Sequence, residues 1–146
     1  MNKLRFKIVK LFLANWNPIR WFLYQQFFKR LPHHKAKSLA NESPFLKIPK
    51  GKWINESENA FAVKDIRPRA PVHLLVIPKV RVNTIMDASP ELMGEMFQLA
   101  KETAHQFGIV EDGFRLIVNT NVYGVQTVYH LHIHIMGGKQ LPVPLI

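Results

Sequence analysis

The 146-residue chain contains no cysteine, so it forms no disulfide and holds no zinc through thiolate ligands. Carboxylates are missing from its first 41 positions. No apolar run approaches the ~18 to 20 uncharged residues that a membrane-spanning helix needs. A secretory signal peptide also fits poorly, because Lys7 and Lys10 interrupt the apolar stretch. We therefore expect a cytoplasmic protein with peripheral attachment to a membrane, and mitochondrial import is the alternative for so basic a start.

The net charge of +10 is concentrated near the N-terminus. Residues 1–44 hold nine Lys/Arg residues and half of the aromatic residues, which predicts a basic amphipathic helical arm and linker before a compact domain at 45–146. We expect residues 1–31 to bind an anionic membrane surface. Packing of the arm on the domain, or on a partner protein, stays open, and nucleic acid is a less favoured partner.

The domain pattern predicts an α+β fold with an antiparallel sheet of about five strands. One long helix has Ser89 as N-cap, Pro90 in its first turn and Gly108 at its end, and a short helix lies near 84–86. The predicted strands are 53–54, 61–66, 72–77, 114–119 and 128–136, and a turn separates the first two at 55–59.

Three histidines alternate with apolar residues in the last predicted strand. Because side chains of a strand alternate between faces, His130, His132 and His134 are expected on one face. A solvated face with incidental histidines is one interpretation, and a metal site is a second, although Asp65 and Asp112 are its nearest acidic candidates. The third is phosphorus chemistry, in which a neutral imidazole attacks and the polar loop 119–127 holds oxyanions.

Two segments carry a family resemblance. The run His130-Leu131-His132-Ile133-His134-Ile135-Met136 resembles the alternating His/apolar pattern of the histidine triad (HIT) family. The run 65–79, from Asp65-Ile66 through Ala70-Pro71-Val72-His73 to Pro78-Lys79, resembles a second block of that family. With Asn119, the resemblance covers about 45–141, and the ending Gly137-Gly138-Lys139-Gln140 is most similar to the Hint branch of purine nucleoside phosphoramidases.

The resemblance implies a hydrolase or transferase that acts at the α-phosphorus of purine nucleotide conjugates through a nucleotidyl-histidine intermediate. It implies His132 as nucleophile, the His130 carbonyl as the group that orients it, His134 near the leaving group and His73 as an outer member of the cluster. The implied nucleotide-binding residues are Asp65 at the ribose, Ile66 at the base, Asn119, Gly124, Gln126 and Thr127. Without the family resemblance, the sequence pattern would favour Ile66 as a core residue and His73 as a buried structural histidine.

The resemblance also implies a homodimer, paired through the long helix and an edge strand, and no cofactor or metal in the chemical step.

Two departures from the family pattern bear on activity. Val125 stands where the family usually has glycine, so a backbone-amide phosphate site is in question. The segment Phe45–Pro49 is also shorter than usual, which bears on the base pocket. The alternative is therefore a nucleotide-binding regulatory module with little turnover, tethered by its arm.

Overall fold

The computed structural model describes residues 43–142, all within the second of the two units into which the chain divides, 39–146. The predicted arm lies outside the described residues, apart from Ser43 and Pro44. Within 43–142, no helix is long and apolar enough to cross a membrane.

A five-stranded antiparallel sheet forms the centre of the domain, in the order β1-β2-β3-β5-β4. Its strands are β1 (Asn55–Glu56), β2 (Ala60–Lys64), β3 (Val72–Pro78), β4 (Arg115–Val118) and β5 (Ile133–Gly137). Three short 3-10 helices occur at Pro44–Lys47, Lys50–Lys52 and Ile85–Asp87. The predicted α+β architecture, including the short helix near 84–86, is confirmed.

The long helix α1 spans Pro90–Gln106 and begins where its capping signals predicted. The Ser89 hydroxyl accepts a hydrogen bond from the Leu92 N–H at 3.2 Å, which satisfies one of the first-turn amides. Gly108 follows the helix with φ +63°, a left-handed conformation that favours glycine. Met96, Leu99 and Thr103 of α1 are buried against the sheet.

The two faces of the sheet are covered differently. Alternate residues of β3 and β5, such as Leu74, Val76, Ile133 and Ile135, pack in the main core that includes α1. The opposite face carries a smaller apolar cluster of Phe61, Val63, Leu75 and Ile77, against which Phe45, Ile48 and Trp53 pack. His73 and His134 lie on this second face, because they alternate with the core residues of β3 and β5.

Two strand predictions were wrong. The last strand begins at Ile133 and not at Val128, since residues 128–132 bond to a neighbouring segment: the Leu131 N–H donates to the Val82 carbonyl at 2.6 Å. The first strand is Asn55–Glu56, inside the predicted turn, because a tighter connection at 57–59 lets Asn55 pair with Ala62.

Candidate active site

The histidine cluster lies where β5 begins, on the sheet face opposite α1. His134 belongs to β5 and stands opposite Leu75 of β3, while His132 immediately precedes β5. The ring centroids of His132 and His134 are 4.9 Å apart, and those of His73 and His134 are 5.2 Å apart. Three of the four predicted catalytic histidines therefore form one contiguous row of rings.

His132 has its tautomer fixed by the main chain. Its Nδ1 lies 2.8 Å from the carbonyl oxygen of His130, and a carbonyl can only accept a hydrogen bond. Nδ1 therefore carries the hydrogen, and Nε2 presents its lone pair. The ring is 6% exposed, and this burial lowers the pKa of His132 below its usual range. At neutral pH the ring is therefore uncharged, with a lone pair on Nε2.

His130 continues the predicted alternation, although it lies before β5, because Leu131 packs in the main core together with Ile133 and Ile135. Its fully buried ring contacts two groups: Nε2 is 3.0 Å from the Pro78 carbonyl and Nδ1 is 2.6 Å from the Ser43 hydroxyl. The Phe45 ring makes edge-on contacts with both the His130 and the His132 rings. Burial lowers the pKa of His130. The carbonyl of His130, and not its ring, meets His132.

His73 and His134 form a hydrogen-bonded pair with a defined direction. The main-chain N–H of Arg69 donates to His73 Nδ1 at 3.1 Å, so a neutral His73 carries its hydrogen on Nε2. That group donates to His134 Nδ1 at 2.9 Å, and the His134 hydrogen is thereby placed on Nε2. Burial, reinforced by the neighbouring His132 and His73 rings, lowers the pKa of His134 to about 4. A neutral His134 thus offers an N–H donor beside the His132 ring.

Asp65 completes this side of the cluster. Its Oδ2 lies 3.5 Å from His73 Nε2 and 4.0 Å from His134 Nδ1, while Oδ1 accepts a hydrogen bond from the Arg67 N–H. Asp65, His73 and His134 are close enough to hold a metal ion together. However, a histidine that binds metal through one nitrogen normally donates from the other, and His73 Nδ1 faces a donor instead. The cluster fits a hydrogen-bond relay better than a metal centre.

The polar loop 119–127 ends close to the cluster in sequence, and its hydrogen bonds are largely internal. The buried Gln126 amide donates to the carbonyls of Asn83 and Val128 and accepts from the Asn121 N–H. The N–H groups of Val125 and Gln126 bond to the Val122 and Asn121 carbonyls. Gln126 therefore holds the loop together, and its predicted contact with phosphate stays a prediction.

Two loop positions show why their residue types matter. A Cβ on Gly124 would lie 2.3 Å from the Thr120 carbonyl oxygen, so only glycine fits there. Val125 has φ +58°, a left-handed conformation that is strained for a β-branched residue. The sequence raised the question whether the backbone amide at Val125 can bind phosphate. In the structure the Val125 side chain imposes strain, and its amide already donates a hydrogen bond within the loop.

The remaining predicted nucleotide-binding residues lie at the domain surface. Ile66 is 92% exposed, which excludes the interpretation of this residue as core and leaves it accessible to a base. Thr127 is exposed, and Asn119 is half-buried directly after β4. The predicted binding roles of these residues and of Asp65 stay predictions.

Ser43, Phe45 and the Pro78 carbonyl surround His130 and His132 but were not singled out from the sequence. Ser43 was assigned to the linker, yet it is 5% exposed and belongs to the folded domain. It lies 87 residues from its partner His130 along the chain, and no periodic pattern links the two. A Ser-Pro pair before an apolar residue indicates only a helix N-cap.

Comparison with known proteins identifies the family of the chain. The HIT domain family model matches residues 48–141. A purine nucleoside phosphoramidase of Escherichia coli strain K12 is 41% identical over 110 residues, covering 70% of this chain and 92% of that protein. The crystal structure of a HIT family hydrolase from Legionella pneumophila superposes with a TM-score of 0.66 at 41% identity, covering 70% of this chain and 98% of that one. A HIT family hydrolase from Clostridium thermocellum gives the same TM-score at 33% identity, over 73% and 98%. The chain therefore belongs to the HIT domain family and is a hydrolase of that family.

Proposed function

We propose that the protein hydrolyses purine nucleoside phosphoramidates, or related nucleotide conjugates, at the α-phosphorus through a covalent nucleotidyl-histidine on His132. The observation that carries the proposal is the 2.8 Å contact between His132 Nδ1 and the His130 carbonyl. It holds the hydrogen on Nδ1 and leaves Nε2 as the nucleophilic atom. The substrate class follows from the E. coli relative, a purine nucleoside phosphoramidase.

The reaction divides into two displacements at phosphorus. In the first, the His132 Nε2 lone pair forms the P–N bond to the ring, and the bond from phosphorus to the leaving nitrogen breaks. The leaving nitrogen takes a proton from water and departs as an amine. In the second, water attacks phosphorus and loses a proton to solvent, the bond to Nε2 breaks, and a nucleoside monophosphate is released. The Nε2–H of His134 is placed to hydrogen-bond a phosphoryl oxygen or the leaving group.

Rapid acid quench and intact-mass measurement after mixing with adenosine 5′-phosphoramidate test this proposal. Wild-type protein should gain the mass of one nucleotidyl group, and peptide mapping should locate it on His132. His132→Ala should form no adduct and lose several decades of turnover, on the order of 4 kcal/mol or more. His105→Ala, which removes an exposed histidine of α1, is the matched control. Retention of over a tenth of the turnover by His132→Ala, a loss under about 1.4 kcal/mol, rules out this nucleophile.

A nucleotide-binding module with little turnover is the second candidate. It is favoured by the loop, in which the Val125 and Gln126 amides are already bonded and Val125 is strained. In that case calorimetry should show binding of AMP or GMP while the quench assay shows no adduct. Binding together with rapid adduct formation supports the enzyme.

A homodimer is part of the proposal. Strand β4 lies at one edge of the sheet, and Phe97 on α1 is 38% exposed, whereas Ala100 is buried within its own domain. An exposed apolar side chain and an open strand edge are each features that suit a two-fold contact. Phe97→Glu should shift the protein from dimer to monomer in light scattering, and an unchanged mass would contradict a contact at Phe97.

The basic arm is proposed to attach the enzyme to anionic membranes. The nine Lys/Arg residues of positions 1–41, a stretch that contains no acid, attract such a surface, at about 1 kcal/mol for each residue engaged. Full-length protein should pellet with liposomes that contain phosphatidylserine and remain in solution with neutral liposomes. A protein that starts at Ser38 should remain in solution with both. Equal pelleting of the two proteins would contradict membrane attachment through the arm. A truncated protein that is unfolded by circular dichroism indicates instead that the arm packs on the domain.

A further inference from the structure

Ser43 is a polar residue in an unusual position, buried at the centre of the histidine site. It is 5% exposed, and its hydroxyl lies 2.6 Å from His130 Nδ1. The same oxygen accepts a hydrogen bond from the Phe45 N–H at 3.2 Å and so caps the 3-10 helix Pro44–Lys47. One hydroxyl group therefore joins the start of the domain to the chain just before β5.

The direction of the Ser43 bond follows from its neighbours. The Pro78 carbonyl only accepts, so His130 Nε2 must carry the hydrogen, and a neutral His130 ring has a bare Nδ1. The Ser43 O–H donates to that nitrogen while its lone pair receives the Phe45 N–H. Every polar atom of the buried ring then has a partner, whereas removal of the hydroxyl leaves a buried nitrogen without its donor.

Both groups that Ser43 holds contact the nucleophile. The His130 carbonyl accepts the Nδ1 hydrogen of His132 at 2.8 Å. The Phe45 ring packs edge-on against the His132 ring with centroids 5.1 Å apart. A shift of His130 or Phe45 therefore turns or tilts the imidazole that attacks phosphorus.

We infer that Ser43 is a positioning residue of the hydrolase, whose single hydroxyl sets His130 and Phe45 and, through them, the orientation of the His132 ring. This inference rests on the proposed nucleophilic role of His132. Displacement of a reacting group by about 1 Å costs on the order of a hundredfold in rate. Loss of the Ser43 hydroxyl should therefore slow adduct formation by about 10- to 100-fold.

The test compares Ser43→Thr with Ser43→Val, a pair that has nearly the same shape and differs in the hydroxyl group. In single-turnover quench experiments with adenosine 5′-phosphoramidate, the Thr variant should form the His132 adduct within about threefold of the wild-type rate. The Val variant should be about 10- to 100-fold slower, with an unchanged Kd for AMP. Ser57→Ala, which removes a serine hydroxyl in the β1–β2 connection, controls for a general effect of serine loss.

A second readout separates positioning from a loss of stability. The ring ¹⁵N signals of His130 and His132, recorded without ligand, should shift in Ser43→Val and stay near their wild-type values in Ser43→Thr. Adduct formation at the wild-type rate by a folded Ser43→Val protein overturns the inference and leaves the proposed function intact. If wild-type protein forms no adduct on His132, the proposed function fails and this inference with it. If urea titrations show that Ser43→Val is unfolded, Ser43→Ala replaces it in the test. Slow adduct formation with unchanged AMP affinity in a folded Ser43→Ala protein supports the inference, and a wild-type rate of adduct formation overturns it.

Discussion

The buried histidines should make the domain sensitive to mild acid. His73, His130, His132 and His134 all have their pKa values lowered, in each case mainly by burial, and that of His134 falls to about 4. Above about pH 6.5 the rings are neutral in both folded and unfolded chains, so their contribution to stability does not change with pH. Below this value the histidines of the unfolded chain bind protons, whereas the buried histidines of the folded domain do not. The free energy of unfolding therefore falls as the pH falls.

The size of this effect can be worked out for His134. Its pKa is lowered from 6.5 to about 4, and each unit corresponds to about 1.4 kcal/mol. The unfolding free energy should therefore fall by up to about 3 kcal/mol for this ring alone between pH 6.5 and 4. The other three histidines act in the same direction. Because a small domain has about 5 to 15 kcal/mol of stability in total, a loss of this size is a large fraction of it.

Urea unfolding followed by circular dichroism at half-unit steps from pH 7.5 to 4.5 measures the slope. His134→Gln removes one titrating ring, so its slope should be shallower than wild type by up to about 1.4 kcal/mol per pH unit. His105→Gln removes an exposed histidine and is the matched control. Titration of the His134 ring near pH 6.5 by NMR, or an unchanged slope in His134→Gln, refutes the reasoning.

Three further outcomes test the loop and the absence of a metal. Val125→Gly should stabilise the domain by about 1 kcal/mol in urea, because relief of left-handed strain exceeds the entropy gained by the unfolded chain; destabilisation would show that packing of the Val125 side chain matters more. Gly124→Ala should reshape the loop and lower turnover more than tenfold, since its Cβ meets the Thr120 backbone; Gly94→Ala, whose Cβ meets nothing within 4 Å, should leave turnover unchanged. Treatment with EDTA should also leave turnover unchanged, and loss of activity that added zinc restores would identify a metal enzyme.

The long helix α1 and the last strand β5 show which structural features can be predicted from the sequence. Signals for α1 are local: Ser89, Pro90 and Gly108 act within one turn of the residues that they cap. The alternation in 128–136 is equally regular, yet only its second half forms β5. Residues 128–132 make other hydrogen bonds: the His130 ring bonds to the Pro78 carbonyl, and the Leu131 amide donates to the Val82 carbonyl. Competition between such distant partners is not visible in a periodic pattern.

The site shows the same limit in its chemistry. The motif located His132, His134 and His73 correctly as a cluster, because β3 and β5 pair in register. The orientation of each ring depends instead on groups that carry no motif, namely the His130 carbonyl, the Arg69 amide and the Ser43 hydroxyl. Main-chain groups occur at every position of the chain, so only the fold selects the ones that matter.

In the proposed mechanism, these partners also give different roles to imidazoles that lie in contact. The rings of His132, His73 and His130 each meet a carbonyl, an amide or a hydroxyl that does not titrate near neutral pH, and that partner decides which nitrogen holds the hydrogen. The His134 hydrogen is placed in turn by the bond from His73. Burial keeps the rings neutral, so the His132 lone pair and the His134 N–H exist together at the same pH. A protonated His134 would instead repel a proton-bearing neighbour and lose the bond from His73. The separation of nucleophile and donor is therefore a property of the hydrogen-bond partners, and it should persist for as long as the site stays buried and Ser43 holds His130 in place.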